Sequence, residues 1–278
     1  MDQQTPHLVL NNGVAIPQLG FGTYKVEPGD AVAVVREALE IGYRHVDTAQ
    51  MYGNEREVGQ AVRESGLPRE DVFVTTKLNN NQLTYDAAMA SFDRSLDELG
   101  LDFVDLFLIH WPLATVSDFV PRWKALEEIY RSGRARAIGV SNFQEHHLVR
   151  LMEETEIVPA VNQIEIHPYL VQDELRAFDA KHGIVTQAWS PLGRGTVLGD
   201  PTIAEIARRH DASPAQVIIR WHVQRGDVVF PKASSRARIE ENFRALDLRL
   251  TDDDMAAITA LDRGERTGSH PDTMAWIP

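Results

Sequence analysis

The sequence predicts an α/β fold: a (β/α)8 TIM barrel with an N-terminal β-hairpin and two extra helices. Three observations predict it. Eight short β-rich stretches alternate with stretches of helical period, and strand alternating with helix eight times gives a parallel sheet closed into a barrel. The length of 278 residues, 43% of them apolar, allows a large core and lies near the ~250 residues typical of that fold. No linker, low-complexity block or shift in composition breaks the chain, so residues 1–278 read as one domain.

The hairpin comes first. LVLNNGVAIPQ (8–18) sets Asn12-Gly13 between two apolar runs, the strongest short-range hairpin signal. The barrel strands then follow as QLGFGT (18–23), YRHVDT (43–48), DVFVTTK (71–77), VDLFLIH (104–110), RAIGVSN (136–142), AVNQIEI (160–166), IVTQAWS (184–190) and DVVFPK (227–232). Between them lie helical patterns such as Met89, Phe92, Leu96 and Leu99, which recur at steps of three and four and stop at Gly100. Two stretches exceed the minimal pattern, 213–224 and 251–262, and each opens with a capping Ser or Thr. An open dinucleotide-binding sheet is less attractive, because no G-x-G-x-x-G follows the first strand. Gly193, Gly195 and Gly199 are spaced one residue too long and follow the seventh strand, so they read as an ordinary loop.

A net charge of -13 and a pI near 5.2 argue against nucleic acid or an anionic membrane as partner, because both need a basic face. Any anion site must be a local basic island. With no cysteine in the chain, disulfides, thiolate catalysis and cysteine-held metals are excluded. MDQQTPHLVLNNG has no basic segment followed by an apolar one, and no later apolar run is long enough to span a bilayer. A soluble cytoplasmic protein is expected.

Barrel enzymes carry their chemistry at the C-terminal ends of the strands. Asp47 ends the second strand, Lys77 the third and His110 the fourth, while Tyr52 follows Asp47 by five positions. Singly, each has an ordinary structural reading as a loop cap, a solvated charge, a core imidazole or loop packing. Together they make sense as an acid built around a phenol, whose ordinary pKa of about 10 is too high for efficient proton donation near neutrality. A Lys77 ammonium is expected to lower the Tyr52 pKa, Asp47 to keep Lys77 protonated, and His110 to orient a carbonyl. Two metal readings fare worse. Glu145, His146 and His147 resemble a ligand run, but adjacent histidines on a helix point about 100° apart, so no metal site is expected. A hydrolase centre built on His45, Asp47 and His110 lacks further ligands.

At these motifs the chain resembles the aldo-keto reductase family over nearly its whole length, with the nearest likeness to bacterial 2,5-diketo-D-gluconate reductases. GYRHVDTAQMYGNEREVG (42–59) matches the family's first signature without a gap, and VTTKL (74–78), DLFLIHWP (105–112), IGVSNF (138–143), VNQIEIHP (161–168), WSPLG (189–193) and FPKASSRARIEEN (230–242) follow in family order. The resemblance implies a catalytic tetrad of Asp47, Tyr52, Lys77 and His110, with Tyr52 as general acid. It implies NADPH as cofactor, with Ser141, Asn142 and Gln163 on the carboxamide and Trp189 stacked on the ring. Thr23, Ser190 and Leu192 join that cofactor site. Lys232, Ser234 and Arg238 are implied at the 2′-phosphate, and Glu241 and Asn242 near the adenine. A strand end leading into a helix is a good anion site on general grounds. Position 233 is Ala where the family usually has a phosphate-touching Ser, and position 79 is Asn where many relatives have a pocket-lining Trp, which implies a wider entrance. Tyr24, Trp111 and Trp276 are expected as substrate walls, the last on a C-terminal tail folded over the mouth. The implied activity is reduction of aldehydes, ketones or dicarbonyls, keto sugars among them, by a monomer without a metal. A non-catalytic NADPH-binding regulatory subunit is the rival, and the complete tetrad weighs against it.

Overall fold

The computed structural model describes residues 5–278. Strands β1 (His7–Val9) and β2 (Ala15–Pro17) pair antiparallel as the hairpin. Its turn spans Leu10 to Val14, closed by the Leu10 N–H donating to the Val14 carbonyl at 2.9 Å. Leu10 and Ile16 project into the barrel interior, where they join Phe73, Leu106, Val161 and Val228. The hairpin thus plugs the bottom of the barrel with apolar surface that has no other place to be buried.

The barrel strands are β3 (Phe21–Gly22), β4 (His45–Asp47), β5 (Phe73–Leu78), β6 (Val104–Ile109), β7 (Ala135–Ser141), β8 (Val161–Glu165), β9 (Val185–Trp189) and β10 (Val228–Val229). They run in sequential order, every pair parallel. Closure comes from a parallel bridge between Leu19 and Val229, in which the Gly20 N–H donates to Val229 and the Val229 N–H to Gln18, each at 2.8 Å. All eight expected strands are present. Most are shorter than the stretch that predicts them, β3 and β10 by the most at two residues each, whereas β7 keeps the full seven and β5 runs one residue further, to Leu78.

Side chains alternate along these strands as the pleat demands. Phe73, Leu106, Leu108, Ala137 and Val161 fill the interior, while Val46, Val74, Phe107, Ile109, Ile138 and Ile164 face the helices. Those helices are α1 (Pro28–Ile41), α2 (Glu55–Glu64), α3 (Tyr85–Leu99), α4 (Val120–Arg131), α5 (Glu145–Glu154), α6 (Asp173–Lys181), α7 (Pro201–Arg209), α8 (Pro214–Arg225), α9 (Arg236–Phe243) and α10 (Asp252–Thr259). In α3 the expected stripe buries Phe92 and Leu99, and the helix stops at Gly100, whose φ of 61° suits glycine. The stretches expected as extra helices form α8 and α10, with capping boxes at Ser213–Gln216 and Thr251–Asp254. Of the two helices between β9 and β10, α8 packs beside β10 and α9 in the ring, and α7 is the one set outside it, against α8 and α10. Among the described residues no helix is long and apolar enough to cross a membrane.

Candidate active site

The period of two carries each interior position upward from apolar to polar. Above Phe73 stand Thr75 and then Lys77 on β5, and above His45 on β4 stands Asp47. At the C-terminal mouth Asp47, Tyr52, His110, Ser141, Asn142, Gln163, Trp189, Ser190 and Lys232 surround a cleft of about 300 Å³. Lys77 lies beneath it, fully buried. A wider groove of about 1290 Å³ opens elsewhere, between His7, Arg44, Arg136 and Asp247, and no expected site residue lines it.

Lys77 is the hub. Its Nζ lies 2.6 Å from Asp47 Oδ1, 2.8 Å from the Thr48 carbonyl and 3.4 Å from the Tyr52 hydroxyl. The other Asp47 oxygen accepts from Gln163 Nε2 at 2.8 Å, and that amide also donates to Gln187 at 2.9 Å. Tyr52 ends a short 3-10 turn, Gln50–Tyr52. The Gln50 side chain pins that turn to α3, donating to Ser95 Oγ at 2.7 Å and accepting from Ser91 Oγ at 2.8 Å. The Tyr52 ring packs 5.2 Å from Tyr24 and 5.8 Å from His110, centroid to centroid.

Burial dominates the electrostatics. It raises the Asp47 pKa and lowers that of Lys77, and each partner's charge opposes the shift in the other. His110 is pushed well below its ordinary value by burial and by Lys77, so its imidazole is neutral. Tyr52 departs from the sequence expectation: burial first, then the charge of Asp47, push the phenol well above its ordinary value. The net shift is upward, against the lowering expected from Lys77, whose nearby charge does not offset burial and Asp47. The hydroxyl therefore keeps its proton at neutral pH.

On the far wall the Ser141 hydroxyl donates to the Gln163 carbonyl at 2.8 Å, and Asn142 Nδ2 donates to the His110 carbonyl at 3.0 Å. The Trp189 indole N–H donates to Asn142 Oδ1 at 2.8 Å, which fixes its ring. Asn142 and Ser190 have φ of 65° and 48°, strained values that recur at functional sites.

Other expected cofactor residues do not reach the cleft. Thr23 is buried, its hydroxyl donating to the Asp47 carbonyl at 3.1 Å. Leu192 and Glu241 are half-buried, Asn242 is buried, and Ser234 and Arg238 are exposed, all outside the cleft walls. Ser235, the cap of α9, makes no side-chain bond to the first turn of that helix. Ala233 is buried.

Tyr24, Trp111 and Trp276 all line the cleft, together with Met274, Gly268 and Ser269 of the C-terminal strap. Asn79, expected to widen the entrance, is not among the lining residues; its backbone N–H donates to Gln50 at 2.8 Å. Two residues to which the sequence assigned no role belong here. Asn80 is buried and donates to the Trp276 carbonyl at 3.0 Å, tying down the strap. Arg194, in the glycine loop after β9, lines the cleft as a second cation beside Lys232. The positive charge of Arg194 was the available sequence signal; Asn80 gave none.

The histidine argument is also corrected. The rings of His146 and His147 lie 4.0 Å apart, and both face Asp272 Oδ1, at 3.4 and 3.8 Å. The angular step between residues constrains Cα–Cβ directions, and side-chain torsions undo it. His147 Nδ1 accepts from the Gln144 N–H at 3.1 Å, so the neutral ring carries its proton on Nε2, where a metal would need a lone pair. This is a His–Asp contact. His45 is apart from His110, with ring nitrogens 3.3 Å from the Pro17 carbonyl and 3.0 Å from Thr75 Oγ1. Burial pushes its pKa down to about 3.

Known proteins resemble this chain along its length. Residues 18–263 match the profile described as the Aldo/keto reductase family. An aldo-keto reductase of Mycolicibacterium smegmatis is 50% identical over 97% of this chain and 98% of its own. The glyoxal reductase of Bacillus subtilis is 46% identical over 96% of each chain. A mutant of Gox0644 crystallised in complex with NADPH superposes with a TM-score of 0.94 at 42% identity, covering 98% of this chain and 99% of that one.

Proposed function

The chain belongs to the aldo/keto reductase family, and on that premise we propose that it is an NADPH-dependent carbonyl reductase with Tyr52 as general acid. One observation carries the reading. A single buried ammonium, Lys77 Nζ, lies 2.6 Å from Asp47 and 3.4 Å from the Tyr52 hydroxyl, beneath a cleft that His110 also lines.

The cofactor reading rests on charge. In a protein of net charge -13, Lys232 and Arg194 line the cleft. Arg238 is exposed on the first turn of α9, whose N–H groups no side chain caps. Cations beside an open helix N-terminus fit phosphate. When bound, NADPH supplies the hydride that the carbonyl carbon takes up. Gln163, Asn142 and Ser141 offer amide and hydroxyl groups for its carboxamide, and the fixed Trp189 ring offers a stacking face.

Tyr52 holds its proton until negative charge develops on the carbonyl oxygen, then delivers it there. The Lys77 ammonium stabilises the phenolate as it forms, and Asp47 keeps that ammonium charged. Neutral His110 orients the carbonyl oxygen toward the hydroxyl. Tyr24, Met51, Trp111 and Trp276 wall the substrate side and exclude water. Small aldehydes, ketones and dicarbonyls are the proposed substrates; the glyoxal reductase relative supports the dicarbonyls.

The test is NADPH consumption across aldehydes, α-dicarbonyls and keto sugars, 2,5-diketogluconate among them, by wild type and Tyr52→Phe. The expected result is a loss of about 10²–10⁴-fold in turnover in the variant, with NADPH affinity retained. Tight NADPH binding with no turnover on any carbonyl would favour the regulatory-subunit reading instead.

A further inference from the structure

A carboxylate that takes no part in these steps holds the last wall of the cleft. Glu165 is the final, inward-facing residue of β8 and is fully buried. Its Oε1 accepts from the Thr267 N–H at 2.6 Å and from the Thr267 hydroxyl at 2.5 Å, and the Gly268 N–H lies 3.2 Å from both carboxylate oxygens. His167 Nε2 stands 3.2 Å from the same Oε1. Burial works to raise this carboxyl's pKa, but the bonds from His167 and Thr267 outweigh it and hold the group below its ordinary value. An ionised carboxylate survives burial only when donors fill it. Three of the donors here belong to the strap.

The strap has little freedom beyond that seat. Gly268 lies so close to Trp189 that a Cβ there would stand 2.4 Å from the indole ring. From this point Gly268, Ser269, Met274 and Trp276 line the cleft, whereas Glu165 itself does not. We propose that Glu165 is a positioning residue: its carboxylate seats Thr267 and Gly268, so that the strap closes the carbonyl side of the cleft. Carbonyl binding then depends on a side chain that never touches the substrate. The kinetic readout of this proposal rests on the reductase reading; the exchange readout does not.

The test uses the full-length chain as wild type, Glu165→Gln, Thr267→Val and the double variant. Glutamine keeps the volume but turns an amide NH2 toward N–H donors. The expected result is a KM for phenylglyoxal raised about tenfold or more in Glu165→Gln, the worth of one charge-assisted hydrogen bond, with NADPH affinity changed far less. The amides of Thr267 and Gly268 should exchange faster with solvent. Thr267→Val should move both readouts in the same direction, and the double variant should be no worse than Glu165→Gln, because the two side chains share one interaction. Additive KM effects, unchanged exchange at 267–268, or a fall in kcat with KM intact would overturn the proposal. If Glu165→Gln fails to fold, Thr267→Val carries the same two readouts. If wild type shows no turnover, the reductase reading fails alone and exchange decides the seat.

Discussion

Lys77 shows how much one position carries. It is fully buried, and its three contacts draw on β4, the loop after it and the Tyr52 turn. Lys77→Met keeps most of the volume but strands the Asp47 carboxylate. Removing one partner of a buried pair costs about 3–5 kcal/mol, so urea denaturation should register a loss of that order. Asp47→Asn in the same chain should restore much of the stability and none of the turnover. An unchanged unfolding midpoint in Lys77→Met would mean that Asp47 is neutral in the folded protein. The tetrad was legible because Asp47, Lys77 and His110 are chemistry-bearing residues at strand ends and Tyr52 follows Asp47 within one contiguous motif. The buried donor Asn80 was not, because nothing in KLNNNQ (77–82) distinguishes the asparagine that meets the strap from its neighbours.

At the scale of elements, periodicity foretold the helices but not how closely they approach. The α2 helix passes over the C-terminus of α3 at Gly59, where a Cβ would fall 1.8 Å from the Leu99 carbonyl oxygen. Gly59→Ala must force the two helices apart, and overpacking of this kind costs typically about 1–3 kcal/mol. Denaturant unfolding of the variant checks it, and a neutral result would show that α2 shifts freely. Since α2 follows the Tyr52 turn directly, turnover should fall with stability. In sequence Gly59 is only the last residue of the motif 42–59, and the packing of α2 against α3 explains why a glycine stands inside a helix, where it costs about 1 kcal/mol relative to alanine.

For the whole molecule, two carboxyls buried outside the barrel tie stability to pH. Burial raises Glu55 from 4.5 to about 7 and Asp179 from 3.8 to about 7, against the opposing bonds from Thr76 and Ser95 and from Asn162 and Thr186. The folded protein therefore keeps protons that the unfolded chain releases near pH 4 to 4.5. The sign follows from linkage: stability from these groups is fully present below the unfolded values and is lost as pH rises to about 7. At about 1.4 kcal/mol per pKa unit, the contribution of these two carboxyls should fall by a few kcal/mol between pH 5 and 7.5, while the buried neutral rings of His45 and His110 act in the opposite sense up to the unfolded histidine value of about 6.5. Unfolding free energies of wild type and Glu55→Gln at the two pH values test this: removing Glu55 should make the change in stability from pH 5 to 7.5 more positive. The same pH dependence in both proteins would contradict it.

The sequence by itself determined the strand and helix order, the parallel barrel, the polar strand ends and the family, because each is written in local periodicity or in contiguous motifs. It also marked the basic residues near the last strand. Tertiary structure alone decided the neutral Tyr52, the strap seated on Glu165, the meeting of His146 and His147 with Asp272, and the withdrawal of Thr23 and Asn79 from the cleft. These depend on desolvation and on contacts between residues up to about a hundred positions or more apart, such as Glu165 with Gly268. Neither a period nor a spacing in the chain encodes them.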